Sequence, residues 1–160
     1  MNGAEARRGG APVGMIRDLD RVEAASVIYL RLWCDSVAGK AEIETDFTTI
    51  LGEVEGRHAA RSFLQLCELC TREGRRPLMR HATTCKCLGA DEACFANLVA
   101  TAAAGERADA MLIATLMVRP AKAGEMAELA RDVGVALRRM RLPPFGNTVA
   151  PARPEHTTLH

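Results

Sequence analysis

Aromatic residues are scarce in this chain of 160 residues: they make up 4% of it, as one tryptophan, one tyrosine and four phenylalanines. A core with so few rings must be filled largely by Leu, Val, Met and Ala, and alanine is the strongest helix former. Small side chains also let helices pack closely. The composition therefore predicts an all-α fold, and helical spacing along the chain divides it into five to six short helices in one compact, bundle-like domain.

The sequence also lacks an excess of one charge and a long apolar run. The net charge is +1, so no overall field draws the chain toward nucleic acid or a membrane surface. No apolar run reaches the roughly 18 residues that span a bilayer, and no apolar stretch of signal-peptide type precedes Asp18. We therefore expect a cytoplasmic protein without membrane contact, whose cysteines stay reduced.

Familiar catalytic motifs are missing as well. The sequence has no GxSxG, no HExxH and no glycine-rich phosphate loop. The acidic pairs that do occur are typical of solvated helix faces and first helical turns. These absences disfavour an enzyme and leave binding or regulatory roles.

Glycine and proline divide the chain into three parts. Residues 1–17 hold four glycines and three arginines and predict a flexible lead-in, whereas 142–160 carry four prolines and predict a disordered tail. The helical domain is then 18–141. The apolar runs 27–33 and 111–118 also fit strands, so an α+β fold with these two segments paired is the alternative.

Five of the six cysteines, with one histidine, fall within 28 residues. Thiolate and imidazole are preferred zinc ligands, and a structural zinc site takes four of them. Two cysteines three apart on a helix share a face, as do a histidine and a cysteine four apart if that stretch is helical. The spacing predicts a zinc site drawn from five candidate ligands: Cys67, Cys70, His81, Cys85 and Cys87.

The same cluster has other interpretations. An iron–sulfur cluster is less favoured because the spacing matches no ferredoxin run. Free cysteines often pack as small hydrophobes, and Cys67 and Cys70 continue an apolar helical stripe. Finally, Cys85-Lys86-Cys87 places thiols beside a cation, which favours thiol reactivity and redox sensing.

A basic stretch overlaps the cluster between residues 72 and 86. Such a patch contacts phosphates on nucleic acid or on a small anion, or forms an ordinary solvated surface. No aromatic side chain is interleaved for base stacking. The candidate contact residues are Arg72, Arg75, Arg76, Arg80 and Lys86.

These observations combine into one leading functional hypothesis. The chain is expected to be a cytoplasmic, zinc-stabilised helical protein that acts as a regulator through contacts with another macromolecule, most simply a second protein. The alternatives are a metal-free protein-interaction module with buried thiols and a thiol-based redox sensor.

Overall fold

The computed structural model of the protein describes residues 8–143, which form six α-helices and one two-stranded antiparallel sheet. The helices are α1 (Arg21–Asp35), α2 (Val37–Leu51), α3 (Glu53–Arg72), α4 (Ala90–Ala103), α5 (Arg107–Met117) and α6 (Ala123–Met140). The strands are β1 (Pro12–Met15) and β2 (Cys87–Gly89). The all-α prediction is confirmed. None of the described helices is both long enough and apolar enough to cross a membrane.

Polar caps explain where the first helices begin. At the start of α1, the Asp20 carboxylate accepts the N–H of Glu23 at 2.9 Å, and the Glu23 side chain accepts the N–H of Asp20 at 3.1 Å. This reciprocal capping box satisfies two backbone donors that a helix start leaves unpaired. Ser36 caps α2 through Gly39 at 3.0 Å. Gly52, with φ of 87°, turns the chain between α2 and α3.

The few aromatic rings are concentrated at the centre of the bundle. Tyr29 of α1 packs edge-on against Phe47 of α2, with ring centroids 5.2 Å apart. Phe63 of α3 then packs edge-on against Phe95 of α4 at 6.3 Å, and all four side chains are buried. Edge-to-face pairs contribute about 0.5–1.5 kcal/mol each beyond area burial. Tyr29 also packs edge-on against Phe63, with ring centroids 6.1 Å apart, so the four helices are joined by one continuous series of ring contacts.

Helices α4 and α6 approach each other closely at Gly134. A β-carbon at this position would lie 2.5 Å from the Ala103 β-carbon and 2.7 Å from the Val99 carbonyl oxygen. A glycine inside an exposed helix costs about 1 kcal/mol relative to alanine, but here no larger residue fits. The alanine-rich composition thus serves close helix packing.

The alternative strands at 27–33 and 111–118 are not strands in the structure, because 27–33 lies within α1 and 111–117 within α5. Residues Ala110, Ala114 and Val118 are all fully buried, at the four-residue spacing of a helix face rather than the two-residue spacing of a strand. The small sheet instead pairs β1 with β2, with Met15 opposite Cys87.

The described part of the predicted lead-in, residues 8–17, contains β1 and the buried Ile16. Ile16 belongs to a small second cluster of apolar residues that includes Val27 and Leu88. This cluster fastens the sheet onto α1. Residues 1–7 of the lead-in and 144–160 of the predicted tail lie outside the described residues.

Candidate functional site

A buried arginine organises the irregular segment between α3 and α4. Arg31, on α1, is 1% exposed, and its Nε and Nη2 groups donate to the two carboxylate oxygens of Glu92 at 2.7 and 2.8 Å. Its remaining donors reach three backbone carbonyl oxygens: Ala82 at 3.1 Å, Cys85 at 2.6 Å and Cys87 at 2.7 Å. A guanidinium has five N–H groups, so every donor of Arg31 is used.

Glu92, in the first turn of α4, is the matching acceptor. Besides Arg31, its carboxylate accepts the N–H of His81 at 2.9 Å and the N–H of Gly89 at 2.8 Å. Burial alone would raise the pKa of Glu92, but the hydrogen bonds from Arg31, Gly89 and His81 outweigh it and lower the pKa. Glu92 is therefore an ionised, fully satisfied carboxylate in the interior.

This lowered pKa predicts how stability changes with acid. The unfolded Glu92 carboxyl titrates near its ordinary pKa of about 4.3, and the folded one below it. Its contribution to the free energy of unfolding is therefore fully present above the unfolded pKa, and it is lost as pH falls through the folded pKa. Urea titrations of wild type and Glu92→Gln should give stabilities that converge between about pH 5 and pH 2. If the difference in the free energy of unfolding between the two proteins stayed constant over this pH range, the lowered pKa of Glu92 would be contradicted.

A second ion pair anchors the start of the same segment. Arg76 forms a two-pronged contact with Asp91, at 2.7 and 2.5 Å, and the Asp91 carboxylate also accepts the N–H of Met79 at 2.8 Å. Asp91 and Glu92, adjacent at the start of α4, thus each bind one arginine and at least one backbone N–H of this segment. The segment is held firmly although it has no regular structure between residues 75 and 86.

The network positions a histidine beside a thiol. A turn, closed by the N–H of Cys85 donating to the Ala82 carbonyl at 2.9 Å, brings Cys85 Sγ to 3.5 Å from His81 Nδ1. His81 Nε2 lies 2.9 Å from the carbonyl oxygen of Gly10, which only accepts, so Nε2 carries the proton. With the proton on Nε2, Nδ1 is the ring nitrogen that can accept a hydrogen bond from the Cys85 S–H. Nucleophile, base and a group that orients the base are all present.

Cys87 stands next to this pair. The Cys85 thiol raises the pKa of Cys87, first through a hydrogen bond and then through its charge. Cys87 therefore ionises less readily than an ordinary thiol. Both cysteines are half-buried, and the neighbouring Thr83, Thr84 and Lys86 are exposed, so a small solute reaches them.

The other four cysteines lie in different surroundings. Cys67 and Cys70 are 1% and 4% exposed on the inner face of α3, within the main core. Burial raises the pKa of Cys67 well above its ordinary value and that of Cys70 to about 12. Burial also raises the pKa of Cys34 and of Cys94, which are only partly covered. Thiols of this kind react slowly, because the thiolate is the nucleophile.

The structure thus divides the five predicted zinc ligands. His81, Cys85 and Cys87 come together on the loop, whereas Cys67 and Cys70 belong to the core. Within residues 8–143, no group of three or more His, Cys, Asp or Glu side chains is arranged to hold a metal ion. Zinc needs deprotonated thiols, and the buried Cys67 and Cys70 favour the protonated form. The described residues therefore give zinc binding no support, and zinc binding stays a prediction.

Three cations of the predicted basic patch make contacts within the chain. Arg75 donates to the Thr115 carbonyl at 2.8 Å, Arg80 to the Cys34 carbonyl at 3.2 Å, and Arg76 is paired with Asp91. Arg72 and Lys86 are exposed. The contacts of Arg75, Arg76 and Arg80 brace the segment, and contact with an anion or nucleic acid stays a prediction.

Sequence reasoning missed Arg31, Gly10 and the structural role of Glu92. A charged residue inside the apolar run of 27–33 is the one signal that points to Arg31, because a lone buried charge requires a partner. The carbonyl of Gly10 has no such signal, since any residue would supply it. The Gly10 carbonyl oxygen reaches His81 only because the N-terminal segment folds over the loop.

Comparison with known proteins gives no protein-family model, no curated protein and no solved structure that matches this chain significantly. The function of the loop must therefore follow from its own residues. Those residues form a histidine–cysteine pair with a second thiol beside it, on a loop pinned by a buried arginine. This arrangement suits thiol chemistry better than any other chemistry the described residues offer.

Proposed function

We propose that this protein is a thiol-based redox sensor, with Cys85 as the reacting thiol, His81 as its base and Cys87 as the resolving thiol. The observation that carries the proposal is the 3.5 Å contact between Cys85 Sγ and His81 Nδ1, with the ring oriented by the Gly10 carbonyl. A base within hydrogen-bond reach raises the thiolate fraction, and the thiolate is the species that oxidants attack.

The proposed reaction consumes one molecule of hydrogen peroxide. Cys85 Sγ gives its proton to His81 and attacks a peroxide oxygen. The O–O bond breaks, and the leaving hydroxide takes the proton from His81 as water, leaving a sulfenic acid on Cys85. Cys87 Sγ then attacks the Cys85 sulfur, the S–O bond breaks, and the hydroxyl leaves with the Cys87 proton as a second water. Two thiols and one peroxide give one disulfide and two waters.

Oxidation at this position would be transmitted to the fold through two contacts. The carbonyl oxygens of Cys85 and Cys87 both accept from Arg31, at 2.6 and 2.7 Å. Cys87 is also the strand residue paired with Met15. A disulfide between residues only two apart forces the backbone between them to bend, which competes with both contacts. We expect oxidation to rearrange the loop and to loosen β1, and a macromolecular partner to recognise this change.

The test is a count of free thiols after mild peroxide treatment. We expect wild type to fall from six free thiols to four, and a dithiol reductant to restore six. Cys85→Ser should keep its remaining five thiols under the same treatment. Cys34→Ser is the matched control, because this partly covered thiol lies outside the pair, and it should still lose two. Loss of two thiols in Cys85→Ser would overturn the proposal.

One further measurement distinguishes redox sensing from the zinc binding that the sequence predicts. Thiols that ligate a metal resist labelling until a chelator removes it, whereas the proposed pair reacts at the same rate with or without chelator. The predicted cytoplasmic location fits the proposal, because reducing conditions keep both thiols available until an oxidant arrives. Labelling rates that rise sharply when chelator is added would favour a zinc-binding protein over a redox sensor.

A further inference from the structure

Helix α5 exposes an apolar face that the fold does not use. Ala110 and Ala114 are fully buried toward α4 and α6, whereas Leu112 and Leu116 are 66% and 68% exposed. On a surface helix the outward side is ordinarily polar. Here two large leucines stand one turn apart on that side.

Among the described helices, α5 carries the two most exposed leucines, whereas the exposed Val54 and Val135 line a separate shallow pocket between α3 and α6. The other strongly exposed large apolar side chains, Val13, Val37 and Val54, lie on three different elements. Single exposed apolar residues are common on soluble proteins, whereas contiguous patches mark interaction surfaces. We call the surface formed by Ala108, Asp109, Leu112, Thr115 and Leu116 the α5 face.

The two ends of the α5 face carry opposite charges. At the N-terminal end the exposed Asp109 lies beside the leucine row, following Glu106. At the C-terminal end the Arg75 guanidinium rests against the helix, with Nη1 donating to the Thr115 carbonyl at 2.8 Å. An identical helix laid antiparallel across this face would bring each acidic end against a basic end.

We infer that the α5 face is the surface through which two copies of this chain associate, related by a two-fold axis. Such an interface is self-complementary, so Leu112 of each copy would pack against Leu116 of the other. Side chains four residues apart form the ridge by which helices most often interdigitate. Leu116 also borders a cavity of about 240 Å³, where Leu78 and Met117 give the opposing leucine an apolar wall and the paired Arg76 and Asp91 form the polar side.

The extent of the α5 face sets the expected strength of association. The helix has only 11 residues, so the contact belongs to the class below about 1,200 Å² of total buried area. Contacts of this size are transient, and we expect a dissociation constant in the micromolar to sub-millimolar range. The pairing uses neither Cys85 nor Cys87, so it stands independently of the proposed redox function.

Sedimentation velocity of the full chain under reducing conditions tests the inference, from about 10 μM to about 1 mM. The wild-type protein should change from monomer to dimer as its concentration rises. Leu112→Asp should raise the dissociation constant at least about tenfold, since a charge would then lie at the centre of the contact. Val54→Asp is the matched control, because Val54 is 84% exposed on α3, and it should behave as wild type. Wild type that stays monomeric throughout, or a dimer that survives Leu112→Asp, would overturn the inference.

A charge exchange tests the antiparallel arrangement. Asp109→Arg and Arg75→Glu each place like charges together at both ends of a homodimer, so each variant alone should be monomeric. In a mixture, the arginine at 109 of one copy meets the glutamate at 75 of the other, and the two native partners meet at the opposite end. The mixture should therefore form a one-to-one heterodimer with near wild-type affinity. A mixture no more associated than its components would contradict the arrangement.

Discussion

Replacing Arg31 by methionine is expected to lower the free energy of unfolding by about 3–5 kcal/mol, because it leaves the buried Glu92 carboxylate without its cationic partner. The substitution also removes the donors to three backbone carbonyls of the loop: Ala82, Cys85 and Cys87. Urea denaturation followed by circular dichroism at neutral pH measures the loss. Methionine keeps a long apolar stem, so lost packing contributes little.

The control lies on the same helix. Arg21 is exposed at the first position of α1, and Arg21→Met should change stability by no more than about 0.5 kcal/mol. If Arg31→Met also cost less than about 1 kcal/mol, the Arg31–Glu92 pair would not organise the loop. The two cysteine carbonyls would then have no stable link to the core.

Replacing His81 by glutamine should slow alkylation of Cys85 by about tenfold at neutral pH, because a free cysteine is only a few per cent thiolate there and a neighbouring base helps to remove the thiol proton. The glutamine amide reaches the position of Nε2 and can still donate to the Gly10 carbonyl. It has no basic nitrogen to accept the Cys85 proton. The reaction with iodoacetamide, followed by peptide mass spectrometry, isolates this rate, because trypsin releases residues 81–86 with Cys85 as their one cysteine.

His58, exposed on α3, supplies the matched control for this substitution. His58→Gln should leave the Cys85 rate unchanged. An unaltered rate in His81→Gln would show that the 3.5 Å contact does not activate the thiol. Stability should change little in both variants, which separates loss of the base from general unfolding.

The helical part of the fold is largely predictable from the sequence. Asp20 and Ser36 mark helix starts, Gly52 marks a boundary, and Phe63, Leu66 and Cys67 follow the spacing of one buried helix face. These signals are local, since each depends on residues within one or two turns. For this reason the six helices of the described chain agree with the expected five to six.

The sheet and the loop are less predictable because long-range contacts hold them. Met15 pairs with Cys87 across 72 residues, although β1 is exposed and contains proline and glycine, which ordinarily disfavour strands. His81 meets Cys85 through a turn rather than a helix. The sequence does indicate that Cys67 and Cys70 share a face of α3, but the spacing alone leaves open whether that face binds a metal or enters the core.

Competitive labelling of the native, reduced wild-type chain with a trace of iodoacetamide is the most direct test of Cys85 as the reactive thiol. The label should appear first in the peptide 81–86, well ahead of the peptide 87–107 that contains both Cys87 and Cys94. The buried Cys67 and Cys70 should label only after denaturation. Label that appears first on Cys34, Cys94 or Cys87, or equally on all exposed thiols, would contradict a histidine-activated Cys85 and remove the basis for redox sensing at this loop.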